Sequence, residues 1–274
     1  MSGILYIVAT PIGNLEDITL RALRVLKEVD VIAAEDTRQT LKLLNHFEIS
    51  KPLISYHRHN EEFKSDILLE KLKNGENIAL VSDAGTPGIC DPGEEIIKKA
   101  VEENIKIIPI PGACAMINAL IASGIDTKEF NFLGFLPLNK KLRKEKIEEI
   151  KNSNKTVIIY EAPHKMKNTL EDLKEILNNR KIVLAREITK IHEEFIRGNI
   201  EELIQKIDGL KGEMILIIEG NKEKDNIENN ELINMSLEEH YKYYENQGLD
   251  KKEIIKRIAK DRNVSKNEIY MYFV

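Results

Sequence analysis

Five short apolar runs, Ile4–Ala9, Val31–Ala34, Leu53–Ser55, Ile78–Ser82 and Ile107–Ile110, punctuate the first part of the chain, with helical periods between them. Ile18, Ala22, Val25 and Val29, joined by Leu23 and Leu26, form one apolar stripe, and Ile67, Leu68 and Leu72 form another. A stripe of that period is buried when a helix lies on a sheet. Strands separated by such helices cannot pair as hairpins, so the pattern predicts an α/β fold with a mostly parallel sheet. Near Phe130–Gly134 the pattern starts afresh: strands are expected at Thr156–Tyr160, Ile182–Arg186, Phe195–Gly198 and Met214–Glu219, and helices at Lys140–Lys151, Asn168–Leu177 and Ile200–Lys206. At 274 residues the chain exceeds the usual ~100–150 residue domain. The expected units are residues 1–128, residues 129–220, a polar Asn-rich linker over 221–230 and a module over 231–274.

The run Val81–Gly93, VSDAGTPGICDPG, follows a strand with Gly85, Gly88, Gly93, Pro87 and Pro92. Most βα connections span ~2–6 residues, so this one is too long for a mere connector. Its glycines permit positive φ and close backbone approach. Asp83 and Asp91 bracket it, and acids beside bare amides suit a ligand with hydroxyls and a positive centre better than a phosphate. After the first strand, TPIGNLED holds only Gly13 where a dinucleotide fold would carry GxGxxG, and no P-loop occurs, which argues against NAD and ATP. Asn14 or Asp17 is available to cap the next helix. A second Pro-Gly corner, PGACA from Pro111 to Ala115, opens a helix whose first amides could receive a carboxylate or ribose oxygen.

Composition narrows the classes. With 42% hydrophobic and 32% charged residues the chain reads as globular, and no apolar run approaches the ~18 residues that span a bilayer, so a cytoplasmic location is expected. Cys90 and Cys114 are the only cysteines and have no zinc or redox spacing; no metal is expected. A net charge of −5 leaves any nucleic-acid contact to a local patch. Helices expected at Leu237–Asn246, Asp250–Asp261 and Ser265–Phe273 resemble a helix-turn-helix around Leu249, Ile254, Ile255, Ile258, Val264 and Ile269, with a turn at Asn263 and a capping box from Ser265 to Glu268. Lys251, Lys252, Lys256, Arg257 and Lys260 make one helix of it a candidate phosphate patch, diluted by Asp250, Glu253 and Asp261.

Taken in order, LYIVATPIGNLEDIT, AAEDTR, SYHRHNE, VSDAGTPGICDPG, PIPGACA, GFLP, YEAPH and the ARE, TK and HEE elements of residues 185–194 resemble the small-subunit ribosomal RNA methyltransferase I family. That family has the tetrapyrrole-methylase (class III methyltransferase) fold, two α/β domains with a cofactor cleft between them, and its own helix-turn-helix-like terminus. The resemblance implies transfer of a methyl group from S-adenosylmethionine to the 2′-hydroxyl of a decoding-centre cytidine of 16S rRNA in the 30S subunit, by a homodimer without metal. By matching position it implies a cofactor site of Pro11, Asp83, Thr86, Ala113, Cys114, Ala162, Glu187 and Met214.

The residues themselves supply further candidates. Arg38, just past a strand's carboxyl end, would clamp a phosphate, while Glu35 and Asp36 are equally suited to cap the helix that starts near Gln39. His57 and His59 are the candidate bases, histidine being the commonest side chain in general acid–base chemistry. A second polar group comprises Glu161, His164, Arg186, Glu187, Lys190 and His192. Two other readings stand beside this one. A porphyrin or corrin methylase would share the fold but needs a pocket for a polycarboxylate ring and has no use for three terminal helices. A non-enzymatic regulator would bind nucleic acid with the tail and sense S-adenosylmethionine with the body.

Overall fold

A computed structural model of the chain describes residues 2–177, 180–221, 232–262 and 264–273. The expected linker therefore lies, beyond residue 221, outside the described residues, as does Asn263. Among the described residues ten strands form two five-stranded sheets. The first has the order β3-β2-β4-β1-β5, built from β1 (Ile4–Val8), β2 (Val31–Ala34), β3 (Leu53–Ser55), β4 (Ile78–Val81) and β5 (Lys106–Ile110). Every pairing in it is parallel, with Leu5 opposite both Ile78 and Ile107.

Successive strand residues point to opposite faces, and the core follows that alternation. Leu5, Ile78 and Leu80 meet Leu68 and Leu72 of α3 (Glu61–Lys73) and Ile96 of α4 (Glu94–Glu102). Val8, Ala79 and Val81 meet Ala22 and Val25 of α1 (Leu20–Glu28) and Leu44 of α2 (Thr37–His46). Both α1 and α2 start where a side chain takes up a free amide. Thr19 caps α1, its Oγ1 accepting from Ala22 N at 3.1 Å, whereas Asn14 caps a short 3-10 turn over Leu15–Asp17. That turn separates Asn14 and Asp17 from α1, which is why neither caps it as expected. Asp36 caps α2, accepting from Arg38 N at 2.8 Å.

The second sheet, β6-β7-β10-β8-β9, comprises β6 (Phe130–Phe135), β7 (Thr156–Glu161), β8 (Ile182–Arg186), β9 (Glu194–Gly198) and β10 (Met214–Ile218). Only β6 and β7 are parallel; the other neighbours run antiparallel. The central β10 is buried along its whole length. One face carries α6 (Lys140–Asn152), α7 (Pro163–Leu177) and α8 (Ile200–Lys206). The other carries α5 (Ala115–Ser123), whose Ala119 and Leu120 pack with Ile158, Val183 and Ile215 in a cluster that also holds Ile12. The loop after β1 thus packs into the core of the second sheet. α7 begins at Pro163 rather than Asn168, because a proline at the first helical position gives up only an amide that would be unpaired anyway.

The tail forms α9 (Leu237–Glu245), α10 (Lys251–Asp261) and α11 (Lys266–Tyr272) around Leu232, Tyr244, Ile254, Ile255, Ile258 and Ile269. The reciprocal capping box is at Ser236 and Glu239, while Ser265 accepts from Glu268 N at 3.2 Å, half of the box expected there. His240 is fully buried, with Nε2 3.2 Å from Asp261 Oδ2 and Nδ1 accepting from Arg262 Nε at 3.2 Å. Tyr244 donates to the same Asp261 oxygen at 2.6 Å, so this small core contains a satisfied polar network.

The tail cluster shares no residue with the clusters of the body. Leu216→Ala, in the buried centre of β10, should cost about 2–5 kcal/mol in urea unfolding of the body. Ile258→Ala should instead accelerate amide hydrogen exchange in α9 to α11 and leave exchange in the sheets unchanged. Acceleration spread evenly over the chain would show that tail and body unfold as one unit.

Candidate active site

β1 and β4 lie side by side while their outgoing helices, α1 and α4, lie on opposite faces of the sheet. Such a reversal opens a crevice at the strands' carboxyl ends, where open α/β sheets bind ligands. Three loops leave there and are tied together. Thr10 N donates to Gly85 O at 2.8 Å and Gly85 N returns to Thr10 O at 3.1 Å, pairing the loops after β1 and β4. Thr86 Oγ1 donates to Ala113 O at 3.1 Å, adding the loop after β5. Gly85 has φ +84°, and a Cβ there would stand 3.2 Å from Ile12 Cγ2, so both conformation and space call for glycine. Cys90 adopts φ +64° without being glycine, with its carbonyl oxygen accepting from Arg58. Backbone held in that region by its surroundings is frequent at functional sites.

The resulting cleft has a volume of about 420 Å³, within the ordinary range of small-molecule sites. The first unit contributes Ile12, Glu35, Asp83, Gly85, Thr86 and Asp91; the second contributes Phe135, Tyr160, Glu161, Ala162 and Met214. Tyr160 is fixed by edge contacts with Phe132 and Phe135, at 5.0 and 5.6 Å between ring centres, and its hydroxyl accepts from Met116 N at 3.1 Å. Glu161 is buried, accepting from Thr169 Oγ1 at 2.6 Å and Ala162 N at 2.9 Å.

Five acidic residues, Glu35, Asp83, Asp91, Glu161 and Glu213, are among those lining the cleft, and no lysine or arginine is, among the described residues. Asp83 Oδ1 accepts from Asp36 N at 3.0 Å, and Glu35 Oε2 accepts from Asp83 N at 3.4 Å, so the glycine loop and the start of α2 are laced by acids. Burial pushes the Glu35 carboxyl above its usual range, with the Asp83 charge adding to it. Burial, followed by the Glu35 charge, pushes Asp91 up to about 6 against the opposing pull of Arg58 and Ser82.

Of the residues singled out in the sequence, Asp83, Thr86, Cys114, Ala162 and Met214 come together in the cleft wall. Pro11 and Ala113 are outside the lining, which the next residues, Ile12 and Cys114, occupy instead. Glu187 is outside it too: it borders a small neighbouring cavity and pairs with Lys190 Nζ at 3.0 Å, while Glu213, beside Met214, takes the wall position. The second unit's antiparallel register, with Met214 opposite both Glu161 and Arg186, produces that shift.

Neither His57 nor His59 lines the cleft. His57 is held by Asn60, whose Oδ1 accepts from His57 N at 2.8 Å and whose Nδ2 lies 3.2 Å from Nε2. The carboxyls of Glu35 and Asp91 stand in the wall instead. Arg38 forks onto Asp36 at 3.0 and 2.7 Å while remaining 86% exposed, and that bond holds the Asp36 carboxyl at about 2. In the tail, Lys251 donates to Phe273 O at 3.2 Å, and both Lys256 and Arg257 reach Glu253, at 3.4 and 3.9 Å. Lys252 is exposed.

Comparison with known proteins adds a family to this geometry. Residues 4–204 match the family described as Tetrapyrrole (Corrin/Porphyrin) Methylases. The chain is 52% identical over 270 residues to the ribosomal RNA small subunit methyltransferase I of Halalkalibacterium halodurans, covering 98% of this chain and 93% of that one. It is 51% identical to the protein of the same name from Bacillus subtilis, again covering 98% and 93%. Among solved structures, the fold is similar to uroporphyrin-III C-methyltransferase from Thermus thermophilus complexed with S-adenosylhomocysteine, with TM-score 0.57, 16% identity and coverage of 79% and 97%. It is also similar to a diphthine synthase, with TM-score 0.62, 16% identity and coverage of 79% and 90%.

The position of Asp91 has a consequence for stability. Between the ordinary value of 3.8 and about 6, the folded chain keeps a proton on this carboxyl that the unfolded chain has lost. More protons bound in the folded state means that stability falls as pH rises through that window. Asp91→Asn should flatten the fall, making the variant's urea midpoint gain on the wild type's as pH rises. Parallel midpoint curves for the two proteins would place the Asp91 carboxyl in an ordinary aqueous setting.

Proposed function

We propose that this chain, which belongs to the tetrapyrrole methylase family and within it to the ribosomal RNA small subunit methyltransferase I group, methylates the 2′-hydroxyl of a decoding-centre cytidine of 16S rRNA from S-adenosylmethionine. The observation that carries the reading is the composition of the cleft wall: bare backbone at Gly85, five acidic residues and, among the described residues, no basic one. S-adenosylmethionine supplies an electrophilic methyl on a positively charged sulfur. A ligand with that charge and an ammonium group is attracted by such a wall, whereas a nucleoside phosphate is repelled. Glycine at residue 85 leaves room for close approach, and Asp83 keeps one carboxylate oxygen beyond its bond to Asp36 N for a ligand donor.

The reaction forms a bond from the ribose oxygen to the methyl carbon as the carbon–sulfur bond breaks, and releases one proton. Holding the oxygen in line behind the methyl is the protein's main contribution, with positioning worth up to ~7–11 kcal/mol. We assign the proton to the Glu35 and Asp91 pair rather than to His57 or His59, because the pair lines the cleft. A carboxyl that titrates near 6 is ionised at neutral pH and more basic than an exposed one. Arg38, almost wholly exposed beside the cleft loop, is the proposed phosphate contact, exchanging Asp36 for the RNA. Lys251, Lys252, Lys256 and Arg257 are a second one, weakened by Glu253. A tetrapyrrole ring is disfavoured as acceptor, since its carboxylates would face the same acids.

Incubation with labelled S-adenosylmethionine and 30S subunits, followed by mapping of the modified nucleotide, tests the reading: label on a cytidine ribose supports it, and label on a base or no label rejects it. Asp83→Ala should weaken cofactor binding by about 10–100-fold in calorimetry, because a charge-assisted hydrogen bond is worth roughly 1.5–3 kcal/mol. Gly85→Val should be worse than Gly85→Ala. Asp91→Asn should bind cofactor but turn over slowly and lose the acid limb of the rate profile near pH 6; an unchanged limb would return the proton to another group.

A further inference from the structure

A groove of about 920 Å³ lies between α6 and α7, and its near end adjoins the cleft along both chain segments. Phe135 and Pro163 belong to the cleft wall; two residues further on, Pro137 and Lys165 belong to the groove. The groove's charge changes along its length. Lys140, Arg143, Lys144 and Lys165 gather where α6 and α7 begin, while Glu171, Glu175 and the paired Glu148 and Lys151 stand further along. Arg143 is committed to Asp172, at 2.7 Å, and Thr169, at 2.8 Å. Among the described residues no carboxylate lies within ion-pair distance of Lys140, Lys144 or Lys165.

These cations do not serve their own helix. The first turn of α6 holds no acid, although the field of a helix favours acids there and disfavours lysine. In the tail patch, by contrast, Lys256 and Arg257 share Glu253, at 3.4 and 3.9 Å. Three large apolar side chains of this segment face solvent: Phe135 of the cleft wall is 56% exposed, Leu138 of the groove 78%, and Leu142 in the first turn of α6 50%. Unpaired lysines beside exposed apolar groups match an unstacked single strand, which offers phosphates on one side and base faces on the other.

We propose that the groove mouth formed by Lys140, Lys144, Lys165 and Leu138 is the docking surface for the single-stranded RNA that flanks the nucleotide entering the cleft. This deepens the methyltransferase reading and rests on RNA being the acceptor. Phosphates held at this mouth stay outside the acidic cleft, and only the sugar to be modified passes the apolar rim. The surface has one occupant in the proposal, a strand of RNA; a second copy of the chain is the competing occupant that the test separates.

The test compares the full-length wild type with Lys140→Glu, Lys144→Glu and Lys165→Glu combined, and with the same positions changed to Gln. Binding of a labelled single-stranded oligoribonucleotide is followed across a salt series, and the KM for 30S subunits is measured beside it. Three lost contacts to a single strand should reduce the slope of log affinity against log salt by about 2, with at least ~10-fold weaker binding at low salt. Gln variants should fall between wild type and Glu variants, and cofactor affinity should stay within about twofold, which also certifies the fold. Leu138→Ser should weaken RNA binding with the slope unchanged. Unaltered RNA affinity and slope in the Glu variant overturn the inference, and so does a change confined to sedimentation, which would give the surface to a second copy. The oligonucleotide arm needs no turnover, so absence of methyl transfer by the wild type would reject the reaction while this arm still decides the surface.

Discussion

The paired hydrogen bonds between Thr10 and Gly85 are the constraint on which the rest of the site depends. They are made by two loops that leave adjacent parallel strands in the same direction and would otherwise diverge, because their helices go to opposite faces. Closing them requires positive φ at residue 85 and no side chain against Ile12. Once closed, Asp83 and Thr86 are fixed on either side of the glycine, Thr86 fastens the loop after β5, and Asp83 fastens the start of α2. Ile12, from the same loop as Thr10, carries the constraint into the core of the second sheet. A short β-bridge therefore sets the positions of groups drawn from both units.

Charge is distributed with the same economy. The chain as a whole is acidic, at −5, and its cleft is more so, yet unpaired lysines gather at the adjoining groove. In the proposed reading that separation sorts the two halves of a nucleotide: the cationic rim attracts the backbone, and the acidic interior favours a cationic methyl donor and a neutral ribose. Burial of Glu35 and Asp91 costs stability in the free protein and makes a carboxylate basic enough to accept a proton, so one desolvation effect has two consequences of opposite value.

Much of this was legible in the sequence. Apolar runs bounded by turn residues located β1 to β5 within a residue at either end, since strands of a parallel sheet covered by helices on both faces are near-continuous apolar segments. The run from Val81 to Gly93 announced a site by its glycines and length. What the sequence did not disclose were matters of pairing. Nothing local states that β10 runs antiparallel between β7 and β8, and that register moves Glu187 out of the wall and Glu213 into it. Glu35 and Asp91 belong to different loops, and only the order β3-β2-β4-β1-β5 brings them together. His57 and His59 drew attention by residue type, which says nothing about where a ring lies. Pro163 disguised the start of α7 because proline usually ends helices rather than opening them.

The most direct test of the central claim is a crystal structure of this protein with S-adenosylhomocysteine. The bridge and the acidic wall predict the ligand folded in the cleft, with its polar groups on the backbone around Gly85 and on Asp83, and with its sulfur turned towards the side where Glu35 and Asp91 stand. Ligand bound elsewhere, or bound in the cleft with its sulfur turned away from that carboxyl pair, would contradict it.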